Sequence, residues 1–189
     1  MKPVLVIMVK VPRPGRVKTR LARDIGVIPA TWWFRHQVRR LLRRIEDPRW
    51  DVVLAVAPDV EGMTSRCWPA HFARWTQGKG NLGDRMVRVM RRAAGPVCVV
   101  GADVPGITRA HVAEGFASLG RHDVAFGPAL DGGYWLIGAK LGSVFHPCVL
   151  DGVRWSSEHA LADSCAAFAG KRIALIRTLA DVDTGDDLR

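Results

Sequence analysis

The sequence predicts a single α/β domain with a mostly parallel central sheet and helices on both faces. Two observations support this: apolar, β-branched runs alternate with helical patterns almost throughout the 189 residues, and those runs are continuously hydrophobic. Continuously apolar strands separated by helices are typical of parallel strands covered on both sides. A chain of this length fits one domain, and no repeat or linker divides it, so one domain over residues 1–189 is expected.

Each element follows from its local pattern. Strands are predicted where apolar and β-branched residues cluster, at Val4–Val9, Val52–Ala57, Val97–Gly101, Val124–Phe126, Tyr134–Ile137 and Ile173–Ile176, with an edge strand around Phe72–Thr76. Helices are predicted where apolar residues recur at helical spacing, at Ala30–Ile45, Leu82–Ala94, Arg109–Leu119 and Ser157–Phe168. Ser156, with Glu158 in the following turn, is the expected N-cap of the last helix.

The composition is that of a soluble globular protein, with 48% hydrophobic and 24% charged residues. No apolar run approaches the ~20 residues that a membrane helix needs. The first apolar run leads into Lys10 and a Pro- and Arg-rich stretch instead of a small-residue cleavage site, so a cytoplasmic location is expected. The four cysteines are scattered without a Cys-x-x-Cys pair, which argues against a disulfide framework or a zinc site.

The net charge of +10 indicates an anionic partner or a strongly solvated surface. One group of basic residues lies at helical spacing opposite apolar residues, namely Arg35, Arg39, Arg40, Arg43, Arg44 and Arg49. This arrangement favours the solvated face of an amphipathic helix over a nucleic-acid-binding stripe. A nucleic-acid partner is therefore not expected.

A second basic group occupies the loop that follows the first strand. Ligands of an open parallel sheet bind beyond the carboxyl ends of its strands, and a helix start there offers unpaired N–H groups to phosphate. The loop is neither a Walker loop nor a G-x-G-x-x-G turn, and a solvated basic loop is the alternative. The predicted nucleotide-binding residues in it are Lys10, Arg13, Gly15, Arg16, Lys18 and Arg20.

A glycine-rich segment follows the predicted edge strand, over residues 77–85. Its three glycines allow close approach of the backbone to a flat ligand, and Gln77 could read a base edge through both atoms of its amide. Gln77, Gly80 and Gly83 are thus candidate nucleotide-binding residues. A common Gly-rich turn before a helix accounts for the pattern equally well.

Carboxylates after the most apolar strand and in the tail suggest a metal site. Asp103 leaves a buried strand and is followed by Val104-Pro105, while Asp181 and Asp183 alternate and would point to one side of an extended segment. Mg²⁺ (or Mn²⁺) held by carboxylates and substrate phosphates would account for such charges. Helix capping, or an acidic tail that starts a turn at Thr184, is the alternative.

The segment at residues 127–135 lies between two predicted strands. Tyr134 and Trp135 could line an acceptor pocket, and Asp131 is a candidate for orienting the acceptor or serving as a base. A tight turn between the strands explains the two glycines at 132–133 equally well.

These segments in this order resemble a bacterial family of small transferases, the selenodomain-associated or arsenosugar-biosynthesis glycosyltransferases. The matching segments are Lys10–Leu21, Gln77–Gly83, Gly101–Pro105, Asp131–Gly138, Trp155-Ser156 and Asp181–Thr184. The resemblance implies a Rossmann-like fold of the nucleotide-diphosphosugar transferase (GT-A) type. Lys18-Thr-Arg-Leu21 with Asp103 and Asp181-Val-Asp183 is also similar to the guanylyltransferase that activates phospholactate, and to molybdenum-cofactor nucleotidyltransferases.

The second resemblance implies a divalent metal at Asp103, Asp181 and Asp183, phosphates at Lys18 and Arg20, and a base at residues 77–83. Two departures stand out. Pro105 replaces the second acid of the Asp-x-Asp pair of many glycosyltransferases, and the Gly-Gly-x-Gly-x-Arg loop of sugar-nucleotide pyrophosphorylases is absent.

The predicted function is metal-dependent group transfer from a nucleotide donor to a small-molecule acceptor, with Lys18, Arg20 and Asp131 as catalytic residues. Glycosyl transfer is slightly favoured over nucleotidyl transfer, and a non-catalytic nucleic-acid- or nucleotide-binding protein is the remaining alternative. The aromatic residues 32–34 permit a homodimer interface, although burial in the core explains them equally well.

Overall fold

A computed structural model of the protein describes residues 1–142, 145–180, 182, 184–185 and 187. Its centre is one seven-stranded sheet in the order β3-β2-β1-β4-β6-β5-β7. The strands are β1 (Val4–Lys10), β2 (Asp51–Ala57), β3 (Ala73–Thr76), β4 (Val97–Gly101), β5 (Val124–Pro128), β6 (Tyr134–Ala139) and β7 (Ile173–Leu175). Among these strands β6 alone runs antiparallel to its neighbours, β4 and β5.

Six α-helices within the described residues connect the strands. They are α1 (Leu21–Ile25), α2 (Val27–Ile45), α3 (Asp59–Thr64), α4 (Leu82–Arg92), α5 (Arg109–Ser118) and α6 (Ala160–Ala167). None of the helices in these residues is long and apolar enough to span a bilayer.

The two faces of the sheet carry separate hydrophobic cores. Successive side chains of a strand point to opposite faces, so Leu5 and Ile7 of β1 pack on one side and Val6 on the other. The first core is completed by α2 and α5, and the second by α4 and α6. Because both faces are covered, the central strands are apolar at nearly every position, as the sequence indicated.

The predicted fold class is confirmed, with local differences. The antiparallel β6 follows from the short connection at residues 129–133, which is long enough for a turn but not for the crossover that a parallel strand requires. The helices α1 and α3 were not predicted, because five and six residues are too few to show a helical period.

The predicted N-cap at Ser156 is wrong. The helix α6 begins three residues later than expected, at Ala160, with His159 in the N-cap position. Ser156 has a φ of +58°, a left-handed conformation that an N-cap does not adopt. The intervening residues instead form a turn in which the Ser157 hydroxyl donates to the Arg154 carbonyl.

Candidate functional site

A cavity of about 650 Å³ opens at the carboxyl ends of β1 and β4. Its walls come from the loop after β1, the start of α4, the loop after β4, and the segments around residues 131 and 156. Because β6 is antiparallel, its first residues, Tyr134 and Trp135, lie at this same edge of the sheet. The cavity therefore gathers parts of nearly every segment that the sequence singled out.

Lys18 and Asp103 form the electrostatic centre of the cavity. The Lys18 Nζ lies 2.9 Å from the Asp103 Oδ2, and the Lys18 side chain is only 6% exposed. The same ammonium donates to the Val182 carbonyl at 2.6 Å and lies 5.9 Å from the centroid of the Trp33 ring. Lys18 thus joins the loop after β1, the loop after β4 and the tail of the chain.

The helix α2 positions the loop that carries Asp103. The Arg44 guanidinium donates to the backbone carbonyls of Pro105 and Ile107, just beyond the carboxylate. A charge-assisted hydrogen bond to a carbonyl is among the stronger single contacts, so these bonds fix the loop against α2. Phe34 of the same helix forms part of the cavity wall.

The basic loop after β1 divides into residues that face the cavity and residues that do not. Lys10, Arg16 and Lys18 line the cavity. Arg13 instead pairs with Glu61 of α3, and Gly15 lies at an exposed turn with a φ of +73°. Arg20 is exposed at the N-cap of α1 and is not part of the lining.

The glycine-rich segment also has mixed roles. Gln77 borders the cavity, but its Nε2 donates to the carbonyls of Val9 at 3.1 Å and Ala55 at 2.7 Å. A bidentate contact to a base edge would require Gln77 to give up both bonds. Gly80 lines the cavity, whereas the buried Gly83 is not part of the lining and packs α4 against the ring of Trp155.

The start of α4 contributes a residue that sequence reasoning missed as a site residue. Asn81 caps the helix in a reciprocal box with Asp84, which fixes the first turn at the cavity. Arg85 follows in that turn, lines the cavity and donates from its Nε to the Gly80 carbonyl at 3.0 Å. The available signal was its place in the sequence: Arg85 lies in the first turn of a helix with a capped start. Side chains of that turn lie close to any ligand that the helix N-terminus contacts.

The turn between β5 and β6 supplies the opposite wall. Asp131 is exposed, lines the cavity, and accepts the Gly133 N–H at 2.9 Å. Tyr134 is half-buried, and the burial of its phenol raises the pKa of that group above the ordinary value. Trp135 is 2% exposed and donates its indole N–H to the Arg177 carbonyl. Both aromatics therefore shape the wall more than they offer polar contacts to a ligand.

Backbone strain in the described residues is concentrated at this cavity. Two non-glycine residues there have positive φ, Lys18 at +46° and Ser156 at +58°. Both line the cavity. Such conformations cost roughly 1–3 kcal/mol each and tend to occur where a ligand or a reaction needs the geometry.

Of the predicted metal ligands, Asp103 is at the cavity, while Asp181 and Asp183 lie outside the described residues. The residue between them, Val182, is buried and contacts Lys18, so the tail reaches the site. Within the part of the chain that the structure describes, no three acidic, His or Cys residues cluster closely enough to hold a metal ion. The Lys18 ammonium is bonded to a carboxylate and a carbonyl oxygen, which are the donor types that Mg²⁺ and Mn²⁺ bind.

Residues 41–157 match the profile of a family described as "Uncharacterized protein conserved in bacteria (DUF2064)". No protein of curated function matches the chain in sequence. A candidate nucleotide-diphospho-sugar transferase from Desulfovibrio desulfuricans G20 is 31% identical in a superposition that spans 100% of this chain and 85% of that protein, with a TM-score of 0.87.

Two more distant structures share the fold. CMP:2-keto-3-deoxy-manno-octonic acid synthetase, solved with CTP, is 17% identical over 100% of this chain and 95% of that one, with a TM-score of 0.58. Rv0371c from Mycobacterium tuberculosis H37Rv, solved with manganese, is 13% identical over 100% and 97%, with a TM-score of 0.51. At these identities the likeness establishes the architecture alone, and it agrees with the predicted fold.

Proposed function

This chain belongs to the DUF2064 family. We propose that it is a nucleotide-dependent group transferase that works with a divalent cation. The observation that carries the proposal is the ion pair between the nearly buried Lys18 and the partly exposed Asp103 in a cavity of about 650 Å³. In open α/β sheets this edge is where ligands bind, and a cavity of that size accommodates a nucleotide. The D. desulfuricans relative, a candidate nucleotide-diphospho-sugar transferase, points to the same class.

We assign the donor phosphates to the basic wall of the cavity. Lys10, Arg16 and Lys18 all line it: Lys10 ends β1, and the other two lie in the loop that follows that strand. Cations placed where negative charge develops on a leaving phosphate are usually the largest contribution to catalysis. Arg20, which does not line the cavity, is the least supported of the proposed phosphate residues.

The residues present fit a divalent cation at Asp103. Asp103 and the Val182 carbonyl are hard oxygen donors already directed at one positive charge, and Asp181 and Asp183 flank Val182 in the sequence. A divalent cation there would neutralise phosphate charge. Rv0371c, which shares the fold, was solved with manganese. Lys18 would then release Asp103 and bind the donor phosphates.

Glycosyl transfer from a nucleotide-sugar is our first candidate reaction, because the relative with 31% identity is described as a candidate nucleotide-diphospho-sugar transferase. The bond between the sugar carbon and the phosphate oxygen would break, the nucleoside diphosphate would leave, and an acceptor oxygen would form the new bond. Asp131, a carboxylate in the cavity lining, is our candidate for taking the acceptor proton.

Nucleotidyl transfer is the second candidate, and two observations favour it. Three cationic side chains line the phosphate wall, which suits a triphosphate, and Pro105 stands where a second metal-binding acid is often found. An acceptor oxygen would attack the α-phosphorus, and pyrophosphate would leave. The synthetase with the same fold was solved with CTP.

A calorimetric panel of nucleoside triphosphates and nucleotide-sugars, each with and without Mn²⁺ or Mg²⁺, tests the proposal. Metal-dependent binding of a nucleotide-sugar with release of nucleoside diphosphate supports glycosyl transfer. Binding of a triphosphate with release of pyrophosphate supports nucleotidyl transfer. Absence of metal-dependent binding in both sets would refute the proposal.

The variant Asp103→Asn should abolish the metal-dependent part of nucleotide binding, because the amide keeps the shape of the carboxylate but loses its charge. Asp51→Asn is the matched control, since Asp51 is an exposed acid at the other end of the sheet that pairs with Lys2. Unchanged metal-dependent binding in Asp103→Asn would remove Asp103 from the metal site.

A further inference from the structure

A second group of basic side chains lies outside the lining of the cavity and is not used by the proposed function. Arg39 and Arg43 of α2 and Arg66 of the segment after α3 have no ion pair or hydrogen bond among the described residues. Several other arginines take carboxylate partners, as in the pairs Arg49–Asp47, Arg154–Asp163 and Arg172–Asp123. Arg39, Arg43 and Arg66 take no such partner.

These arginines line a common groove of about 420 Å³ between α2 and residues 66–72. The sequence favoured the solvated face of an amphipathic helix for the arginines of α2, and Arg39 and Arg43 of that group border a concave surface. The acidic residue in the lining, Glu46, already accepts a bond from His71 Nε2 at 2.9 Å. The groove therefore has an excess of positive charge that the described residues do not neutralise.

A buried donor without a partner belongs to the same groove. The indole Nε1 of Trp68, a lining residue that is 4% exposed, has no hydrogen-bond partner among the described residues. Buried donors are nearly always satisfied in folded proteins, so this unpartnered donor in the wall of a basic groove indicates a missing acceptor.

We propose that this groove is a second ligand site, which binds a small polyanion carrying phosphate or carboxylate groups. Guanidinium forks match the oxygens of such groups, and the groove volume falls in the range of small-molecule sites. The site is separate from the nucleotide cavity, because α2 reaches that cavity at Phe34, more than one turn before Arg39. A nucleic-acid strand is longer than the groove, so it would also contact basic residues outside the lining, such as Arg40.

Inorganic tripolyphosphate is a suitable probe, measured by titration calorimetry at about 0.15 M salt so that diffuse charge effects are screened. We expect two sites in the wild type, one in the nucleotide cavity and one in the groove. Arg43→Gln should weaken the second site by about tenfold, the usual loss for one charge-assisted contact. Arg40→Gln is the matched control: it removes the same charge from an exposed arginine of the same helix that does not line the groove.

The variant Trp68→Phe locates the ligand independently of charge. It keeps a ring in the core but removes the unpartnered donor together with part of the buried indole, so thermal stability should fall somewhat, as for other large-to-small core changes. Tripolyphosphate affinity at the second site should fall in the protein that remains folded. The indole resonance that disappears from the proton–nitrogen NMR spectrum of Trp68→Phe is that of Trp68, and in the wild type it should shift on titration.

Three outcomes would overturn the proposal. One is a single tripolyphosphate site that is lost in Lys18→Met, since the anion would then bind only in the nucleotide cavity. Another is an equal loss of tripolyphosphate affinity in Arg40→Gln and Arg43→Gln, which would mean that the overall positive charge of α2, and not the groove, attracts the anion. The third is a short single-stranded RNA that binds more tightly than tripolyphosphate and depends on Arg40, which would assign the face to nucleic acid. If the nucleotide panel shows no binding, this test still holds, because it measures tripolyphosphate affinity at the groove and not nucleotide affinity in the cavity.

Discussion

Lys18 is the residue on which the proposed site most depends. It combines a left-handed backbone with a nearly buried ammonium shared between Asp103 and the Val182 carbonyl. A buried cation is stable only with such partners, and any cation that binds Asp103 must compete with it. Under the proposed function Lys18 would move to the donor phosphates, so metal and nucleotide should bind together more readily than the metal alone.

We expect Lys18→Met to separate these two steps. Mn²⁺ alone should bind up to about tenfold more tightly, because Asp103 no longer has a competing cation, whereas Mn²⁺ with nucleotide should bind more weakly. Electron paramagnetic resonance of free Mn²⁺ measures both. Lys10→Met is the control, since Lys10 lines the cavity without contacting Asp103. Weaker binding of Mn²⁺ alone in Lys18→Met would contradict this competition.

Gln77 provides a second test at the scale of one residue. Its amide nitrogen joins the carbonyls of Val9 and Ala55 at the ends of adjacent strands. Gln77→Ala should lower the free energy of unfolding by about 1–3 kcal/mol, since it leaves buried acceptors without a donor. Urea denaturation measures this. An unchanged unfolding curve with lost nucleotide affinity would instead support the base-reading role.

At the scale of elements, the start of α4 is fixed against the segment that carries Trp155. A Cβ at Gly83 would lie 2.8 Å from the Trp155 ring and 3.0 Å from the Leu150 Cβ. Close contact of this helix with that segment brings Arg85 and Ser156 into one cavity wall. Gly83 thus acts on the site through packing, although the sequence suggested direct contact with a nucleotide.

Gly83→Ala should accordingly lower stability by about 1–3 kcal/mol, because the extra methyl overpacks this contact. Nucleotide affinity should fall with it as the wall shifts. Gly95→Ala is the control, since a Cβ there meets Met1 at an ordinary 3.5 Å. Thermal denaturation of both variants measures the difference. Equal melting temperatures would mean that the neighbours of Gly83 can shift to accept the methyl group without loss of stability.

At the scale of the whole molecule, arginine–aspartate pairs fasten surface segments to one another. Arg172 bonds Asp123 and joins the starts of β5 and β7, and it holds the pKa of that carboxyl at about 2, against an ordinary 3.8. Arg49 likewise lowers the pKa of Asp47 to about 2. A carboxyl whose folded pKa is depressed adds stability above its unfolded pKa and loses it as the pH falls through the folded value.

The protein should therefore lose stability as the pH falls from about 4 to about 2, the window between the unfolded and folded values. Asp123→Asn should show a smaller loss across that window, because it no longer takes up a proton there on unfolding. Denaturation at a series of pH values measures the difference. Glu158→Gln, which removes an exposed acid whose contact is a 3.7 Å approach to His159, is the control; an identical change in both variants would contradict the role of Asp123.

The sequence predicted the sheet well, because strands buried on both faces are apolar at nearly every position, and β4 was placed correctly at both ends. It could not show the fate of individual polar groups. Gln77 and Gly83 were read as ligand contacts from local pattern, but strand carbonyls and a tryptophan ring 72 positions away decide their roles. Arg85 was overlooked because a local window shows its place in the first turn of α4 but not that this turn borders a cavity.

The bond between Lys18 and the Val182 carbonyl spans 164 positions of the chain. On a ribosome that adds about 5–20 residues per second, position 182 is made roughly 8–30 s after Lys18. The centre of the sheet can form in that interval, but the ligand pocket cannot be completed until the tail emerges. A nascent chain would therefore reach its architecture before it could recognise a substrate, and bound substrate could stabilise only the finished protein.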